Sequence, residues 1–286
     1  MKLDYLVFAW AATVLVEKAN PRAQRSHSDA SFTNLSDVDL TSMKDSVDLG
    51  DGADGLREYE QKRAAGRRDG REASELRALK VEQDFLEQCD GSSRLACGGT
   101  VVMAAVYGPI ECPLKAQLSD RAIVRVDVKG ASSTVSRSSK WLEKYFRESF
   151  EPVIATGMFP RSAIVIALQV MQDDGSVLAT GINAGMMALV DAVVPLRSIV
   201  CASSVAMNSN HTLVLDPTQA EQGEAVVHAT FAFESGGGLV SCKTWGFFED
   251  ERSFSNAASI AEQAAGKVQA FLQIASNRKV NESHSI

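Results

Sequence analysis

Short apolar segments, some alternating with polar residues and some apolar throughout, recur along most of the chain. Both patterns are typical of β-strands when the runs are only four to ten residues long and end at turn-forming residues. The predicted strands cover residues 76–85, 100–106, 122–128, 163–171, 199–206, 225–233 and 239–247. So many apolar strand residues require partners, which predicts at least one extended sheet.

Three longer segments have apolar residues at helical spacing. The first covers residues 139–150 and is stopped by Pro152, and the second covers residues 176–193. The third covers residues 255–277 and places apolar residues three and four positions apart, from Ile260 to Leu272. Strands interrupted by such helices predict an α+β domain whose helices cover the faces of the sheets.

The N-terminal part of the chain differs from the rest in composition. Residues 26–55 are rich in Ser, Asp and Gly and contain seven acidic residues against a single Lys44. This composition is too polar to bury a core and predicts a disordered acidic linker. We therefore divide the chain into an N-terminal extension over residues 1–66, a globular domain over residues 67–277 and a C-terminal tail over residues 278–286.

An apolar run from Leu6 to Val16 opens the extension and follows Lys2. The run is typical of a short secretory signal but is too short to span a bilayer comfortably. It lacks a following A-x-A-like cleavage site, so a loosely packed helix or an incorrect gene start is the preferred interpretation. The alternative, a secreted or membrane-tethered binding protein, would be supported by a mature N-terminus beyond Val16 or by glycosylation at Asn210 or Asn281.

Composition limits the function classes. With 286 residues and 45% hydrophobic content the chain can bury the core of one compact domain. Its net charge of −7 provides no global basic field, so an RNA contact would need a local basic patch or partner subunits. Five scattered cysteines without a CxxC pair favour reduced thiols in a cytosolic or nuclear protein, and we expect neither a metal nor another cofactor.

Short motifs in a fixed order carry a resemblance to a known family. They are RDGR at residues 68–71, ELR at 75–77, DGS at 90–92, GGT at 98–100, GP at 108–109, FPR at 159–161, QDDGS at 172–176, ALVDA at 188–192 and LDPT at 215–218. Together these motifs resemble the RNase PH family over residues 68–274. Within the family they are most similar to the RNase PH-like subunits of the eukaryotic RNA exosome.

The resemblance implies an RNase PH-like fold, of the ribosomal protein S5 domain 2-like type. In that fold two related βαβ-containing halves pack about a shared core. The subunits of the family pair into dimers and close into a hexameric ring around a pore. As partners the resemblance implies other RNase PH-like exosome subunits, exosome cap subunits, an associated nuclease and single-stranded RNA, and no membrane.

The phosphate-binding position of active relatives differs in this sequence. Those relatives carry a Gly-Thr-Arg or Gly-Ser-Arg run at the start of the helix after the Asp-Gly turn, where arginine and helix amides meet the phosphate. The matching residues are Ser176, Val177 and Leu178, and a leucine supplies neither charge nor donor. Asp174 and Gly175 are interpreted as the turn and the N-cap of the helix.

The metal-binding carboxylates of active relatives are also replaced. Ungapped counting from the Leu-Asp motif places the two positions at Gln222 and His228, whereas magnesium prefers oxygen ligands such as paired carboxylates. Glu221 and Glu224 are close in sequence, but solvated acids near a strand end are the preferred interpretation. His228 lies in an apolar strand without a nucleophile motif nearby, which favours a structural histidine over a general base.

Basic residues concentrate in one stretch of the domain. The candidate RNA-binding residues are Lys115, Arg121, Arg125, Lys129, Arg137, Lys140, Lys144 and Arg147. Contacts from these residues to phosphates would be independent of sequence and sensitive to salt, although a solvated charged face or intersubunit salt bridges explain the pattern equally well. The three tryptophans, at positions 10, 141 and 245, are too dispersed to predict a base-stacking platform. Gly236, Gly237 and Gly238 are interpreted as a strand connection, since no Lys-Ser/Thr follows them at the spacing of a P-loop.

These observations favour a structural subunit of the exosome ring over an enzyme. The expected role is support of 3'–5' RNA processing and degradation in nucleus, nucleolus and cytoplasm, including ribosomal RNA maturation, RNA surveillance and messenger turnover. The alternative is a phosphate-dependent 3'–5' exoribonuclease with a diverged active site that uses Glu221, Glu224 or residues of a partner.

Overall fold

A computed structural model describes residues 33–34, 67, 69–113, 117–130 and 139–284. In chain order the strands are β1 Thr33–Asn34, β2 Leu79–Gln83, β3 Gly91–Cys97, β4 Thr100–Glu111, β5 Ile123–Lys129, β6 Ser162–Gln172, β7 Val200–Met207, β8 Leu213–Leu215, β9 Val227–Glu234 and β10 Leu239–Trp245. The helices are α1 Ser139–Phe150, α2 Val177–Asp191, α3 Gln219–Glu224 and α4 Glu251–His284, with a 3₁₀ turn at Thr156–Met158. Among these described residues, no helix is both long and apolar enough to cross a membrane.

The strands form two sheets, one in each half of the domain. The first has the order β1-β2-β3-β4-β6-β5 and the second has the order β10-β9-β7-β8. β5 and β6 pair in parallel and are joined through α1, so the first half contains a βαβ unit. The other strand pairs are antiparallel.

Helix α2 lies in the middle of the core. The sequence pattern predicts one buried face on this helix, yet nearly all of its side chains are buried, because β3 and β4 contact it from one sheet and β7 from the other. Two glycines permit the close approach of α1. A Cβ atom at Gly181 would lie 2.6 Å from the ring of Phe146, and one at Gly185 would lie 2.4 Å from the ring of Phe150.

The predicted elements agree with the observed ones except in a few places. β3, β8 and α3 were not predicted as elements, and α4 continues past the predicted end at residue 277, through most of the predicted tail, to His284. Lys279 explains the continuation, since it forms an ion pair with the buried carboxylate of Asp191 and lies 3.4 Å from Asp84.

The N-terminal extension is described only at Thr33 and Asn34. These residues lie in the segment predicted to be a disordered linker, but the structure pairs them antiparallel with β2, Thr33 opposite Val81 and Asn34 opposite Lys80. The apolar run at residues 6–16 falls outside the described residues. The domain boundaries at residues 67 and 277 stay a prediction, although α4 continues across residue 277.

All five cysteines are free, as the sequence predicts. Cys97, Cys112 and Cys201 are buried, and burial raises the pKa of the Cys201 thiol to about 12.

Candidate functional site

The turn that precedes α2 lies against the segment that precedes α3. Gly175 has φ +83°, and a Cβ atom there would lie 2.7 Å from the backbone oxygen of Pro217 and from the backbone nitrogen of Gln219. The hydroxyl of Ser176 donates a hydrogen bond to the Pro217 carbonyl over 3.0 Å. Only glycine permits this combination of a left-handed backbone and a close contact.

The N-cap of α2 is Ser176 and not Asp174, which corrects the sequence interpretation. Ser176 adopts a left-handed conformation and its side chain makes no capping bond, because its hydroxyl is used toward Pro217. The acid that shapes the turn is Asp173, whose carboxylate accepts a hydrogen bond from the Gly175 N–H over 3.0 Å.

Leu178, which the sequence motif matches to the phosphate-binding arginine expected of active relatives, lies in the first turn of α2 and is buried at 6% exposure. Its side chain belongs to the hydrophobic core together with Phe146 and Ile182. A buried apolar side chain at this position contributes to packing, and it can neither carry a charge nor donate a hydrogen bond.

A buried ion pair connects the two halves of the domain beside this turn. The guanidinium of Arg77 donates to both carboxylate oxygens of Asp216, over 2.9 Å from Nε and 2.8 Å from Nη2, and both side chains are 5% exposed. Arg77 also donates to the carbonyls of Asp174 and Gly175. Burial acts to raise the pKa of Asp216, but hydrogen bonds and the charge of Arg77 outweigh it and hold the pKa below its usual value.

Four motifs of the sequence therefore meet at one point. Arg77 belongs to the ELR motif, Asp216 to the LDPT motif and Gly175 to the QDDGS motif, while Thr100 of the GGT motif donates its hydroxyl to the Gly175 carbonyl over 2.6 Å. Cys97 also donates its thiol to Asp216 over 3.1 Å. This pairing could not be predicted from local sequence, because 139 positions separate Arg77 from Asp216.

Glu221, considered above as a candidate catalytic acid, is held by Arg67. The guanidinium contacts both carboxylate oxygens, over 2.7 Å from Nε and 2.8 Å from Nη2. Glu221 also forms a reciprocal capping box with Thr218 at the start of α3. Burial acts to raise the pKa of Glu221, whereas Arg67 and the Thr218 N–H lower it further than burial raises it, so the net shift is downward.

The two other positions considered for metal binding lie on different elements. Gln222 is half-buried on α3, and His228 is half-buried at the start of β9. His228 stacks on Trp245 with ring centroids 4.5 Å apart, and burial lowers the pKa of the imidazole. Glu224 ends α3 and is exposed. Across the ranges that the structure describes, no group of three or more His, Cys, Asp or Glu side chains is arranged to hold a metal ion.

The predicted basic patch is divided between two sides of the first sheet. Arg125 and Lys129 lie on the exposed face of β5, opposite the buried residues Val124, Val126 and Val128. α1 supplies buried residues to the core on the other side and carries the exposed Lys140, Lys144 and Arg147 on its outer surface. Because successive side chains of a strand point to opposite faces, the two groups leave the sheet in different directions.

Two of the exposed basic residues already have acidic partners. Arg125 contacts Asp127 over 3.1 Å, and Lys144 contacts Glu148 over 3.6 Å. Arg121 is exposed just before β5. Lys115 and Arg137 fall outside the described residues, so the role of the patch in RNA binding stays a prediction.

Two of the three tryptophans meet in the fold although they are dispersed in sequence. Trp141 on α1 and Trp245 on β10 lie with ring centroids 6.1 Å apart, and Lys243 lies 5.7 Å from each ring. The three glycines at residues 236–238 connect β9 to β10, as predicted, and this hairpin places His228 directly opposite Trp245. Even counting outward from the three glycines would place Gly246 opposite His228, so the observed pairing depends on the irregular register of this hairpin, which shifts between Leu239 and Ser241.

Comparison with known proteins identifies the relatives of this chain. Residues 75–195 match the model of domain 1 of the 3' exoribonuclease family, RNase PH. The chain is 30% identical over 226 residues to the mouse exosome complex component RRP41, covering 75% of this chain and 92% of that protein. It is 39% identical over 174 residues to the Rrp41 component of Thermococcus onnurineus, covering 57% of this chain and 70% of that protein. Among solved structures it is similar to rice Rrp46, with a TM-score of 0.70, 27% identity and coverage of 74% of this chain and 100% of that one.

Proposed function

Because the chain belongs to the RNase PH family that includes the exosome complex components, we propose that it is a non-catalytic structural subunit of the RNA exosome core ring. In this role it supports 3'–5' processing and degradation of RNA without cutting RNA itself. The RNA that it contacts is single-stranded and passes through the assembled complex.

The observation that carries the proposal is the burial of Leu178. Phosphorolysis needs a cationic site that holds inorganic phosphate in line with the scissile bond. The family position for that cation is occupied here by an apolar side chain with 6% exposure inside the core. An arginine at this position would have to leave the core or bury its charge, so the site is specialised for packing.

The surroundings of the two metal positions support the same proposal. Gln222 offers an amide, and His228 is stacked on Trp245. Glu221, the nearest carboxylate in sequence, is held by Arg67 and by the capping box, and removing it for metal binding would leave the Arg67 guanidinium without its main partner. These residues are better explained as structural than as ligands of magnesium.

As partners we propose other RNase PH-like subunits in a hexameric ring, the cap subunits and an associated nuclease. The processes are ribosomal RNA maturation, RNA surveillance and messenger turnover, in the nucleus, the nucleolus and the cytoplasm.

Affinity purification of the tagged full chain from cells of its own organism tests the assembly. We expect other RNase PH-like subunits to co-purify in amounts comparable to the bait, together with cap subunits. Recovery of the chain alone or as a homodimer, under conditions that recover a tagged second ring subunit with its partners, would contradict the proposal.

A further inference from the structure

An aromatic cluster that includes a lysine lies where α1 packs against the edge strand β10. We define the tryptophan cluster as Trp141, His228, Lys243 and Trp245. The Trp141 ring meets the Trp245 ring edge-on at 75°, and His228 stacks nearly parallel to Trp245 at 18°. The ammonium of Lys243 lies 5.7 Å from the centroid of each indole.

The fold holds this arrangement in place through neighbouring contacts. α1 packs against β10, so that Ser149, two helical turns from Trp141, contacts Ser241 over 2.8 Å, and the hydroxyl of Tyr145, one turn from Trp141, contacts Ser241 over 3.4 Å. Lys243 is two residues before Trp245 and shares its face of the strand. The cluster is therefore built on a helix and a hairpin and not on a loop.

The tryptophan cluster is open to solvent at Trp141, while His228, Lys243 and Trp245 are half-buried. Trp141 is 39% exposed although its neighbours Leu142 and Tyr145 are buried. The apolar side chains of Val226 and Phe247, two residues from His228 and Trp245, are 51% and 77% exposed. The exposed indole of Trp141 and the nearby ammonium of Lys243 form a surface that combines an aromatic ring with a positive charge.

We propose that the tryptophan cluster binds a nucleobase of single-stranded RNA, with the base stacked on Trp141 and Lys243 beside its phosphate or carbonyl oxygens. Aromatic faces interleaved with basic side chains are what sequence-independent binders of single-stranded nucleic acid use. Lys140 is exposed next to Trp141 on α1 and favours an anionic partner over a neutral one. This inference deepens the proposed function and rests on it, because it names the RNA contact that the ring subunit makes.

Stacking rather than charge supplies most of the affinity. Glu249, Asp250 and Glu251 follow Trp245 closely in the chain, and Lys144 is shared with Glu148, so the local basic field is weak. The binding should therefore depend strongly on the bases and only weakly on salt. This distinguishes it from the phosphate contacts predicted for Arg125 and Lys129.

The test uses the full chain carrying Trp10→Phe, which leaves Trp141 and Trp245 as the two tryptophans. Titration with a short oligoadenylate should quench the tryptophan fluorescence in a saturable manner. An oligomer of the same length without bases should bind with an affinity at least roughly tenfold lower, since a stacked base typically contributes about that much. This comparison needs no substitution within the cluster.

Substitution of Trp141 then locates the contact. Trp141→Ala should weaken binding of a labelled oligoadenylate about tenfold, measured by fluorescence anisotropy, and Trp141→Phe should retain most of the affinity. Tyr107→Ala is the matched control, because Tyr107 is an aromatic residue of similar exposure, 37%, on the first sheet. Circular dichroism checks that each variant is folded.

Equal binding of the oligomers with and without bases, or unchanged affinity of Trp141→Ala, would overturn the inference. So would a Trp141→Ala chain that binds RNA normally but loses its ring partners, since the surface would then be a protein contact. If oligoadenylate binding depends on Trp141 but the tagged chain recovers no ring subunits, the base contact is supported and the proposed assembly is overturned. The two failures can therefore be told apart.

Discussion

At the scale of single residues, buried ion pairs join parts of the chain that are far apart in sequence. Arg77 and Asp216 are almost completely buried, and each satisfies the other with two short hydrogen bonds. A buried charge without its partner costs much more free energy than an intact pair contributes. The conformation of the turn before α2 thus depends on a pair that reaches across both halves of the domain.

Replacement of Arg77 by Met tests this dependence. The substitution keeps much of the side-chain volume but leaves the Asp216 carboxylate buried without its guanidinium. We expect the free energy of unfolding in urea to fall by about 3–5 kcal/mol. Arg125→Met removes the exposed pair with Asp127 and should cost less than about 1 kcal/mol, and equal losses in both variants would contradict the argument.

The lowered pKa of Glu221 gives a second prediction, in acid. The folded chain keeps Glu221 ionised at pH values where the unfolded chain, with an ordinary pKa near 4.5, takes up a proton. The contribution to stability is therefore fully present above that value and is lost as the pH falls through the lower folded-state pKa. Glu221→Gln preserves the capping box in form, since glutamine also serves at this position, and should flatten the decline of stability below about pH 5.

The urea-unfolding free energy measured at several pH values checks this prediction. Asp127→Asn serves as the control, because it removes a carboxylate whose pair with Arg125 is exposed to solvent. A Glu221→Gln variant whose acid profile runs parallel to that of the wild-type chain would show that the Arg67 pair makes no such contribution.

At the scale of helices and strands, two glycines decide how closely α1 and α2 pack. Gly181 and Gly185 lie one turn apart on α2, and each faces an aromatic ring of α1 at a distance that leaves no room for a Cβ atom. Overpacking of a dense core forces side chains from their preferred conformations.

Alanine substitutions at two helical glycines should thus have opposite effects. Gly185→Ala is expected to lower the unfolding free energy by about 1–3 kcal/mol, because the new methyl group would lie 2.4 Å from the Phe150 ring. Gly266→Ala on α4, where nothing lies within 4 Å, should raise it by about 0.4–1 kcal/mol through helix propensity and a less flexible unfolded chain. Thermal unfolding of the two variants decides this, and stabilisation by both would contradict the packing argument.

Most elements could be predicted from the sequence because their apolar residues recur at the spacing of strands and helices. β3 was missed because its Ser92 and Ser93 are buried in spite of their polarity, the Ser93 hydroxyl donating to the Ala184 carbonyl and the Ser92 N–H to the Asp191 carboxylate. α3 has no buried residue and is too short for a periodic pattern. The extension of α4 depends on the ion pair of Lys279 with Asp191, a tertiary contact that local sequence does not encode.

For the candidate site, the sequence motifs led to a prediction of which positions are replaced but not of their surroundings. The predicted replacement of an arginine by Leu178 can be made from a motif, whereas the engagement of Glu221 by Arg67 joins residues 154 positions apart. The meeting of Trp141 with Trp245 likewise depends on the packing of α1 against β10. Pairings of this kind are set by the tertiary fold, and spacing along the chain does not predict them.

At the scale of the whole molecule, the motifs that mark the family serve the architecture of this chain. The motifs around Arg77, Thr100, Gly175 and Asp216 meet beside the start of α2, the helix that both sheets cover. A structural subunit needs this rigid centre as much as an enzyme does. Leu178, in the first turn of that helix, belongs to the core, as the proposed loss of phosphate binding requires.

The most direct test of the proposed non-catalytic role is release of nucleoside diphosphates from a 3'-labelled single-stranded RNA. The purified full chain would be assayed alone and in its co-purified complex, with and without inorganic phosphate. We predict no phosphate-dependent release by the chain alone, and no change in the activity of the complex when Glu221 and Glu224 are both replaced by Gln. Phosphate-dependent shortening of RNA by the chain alone, abolished by the same double substitution, would contradict the account and make this subunit an enzyme.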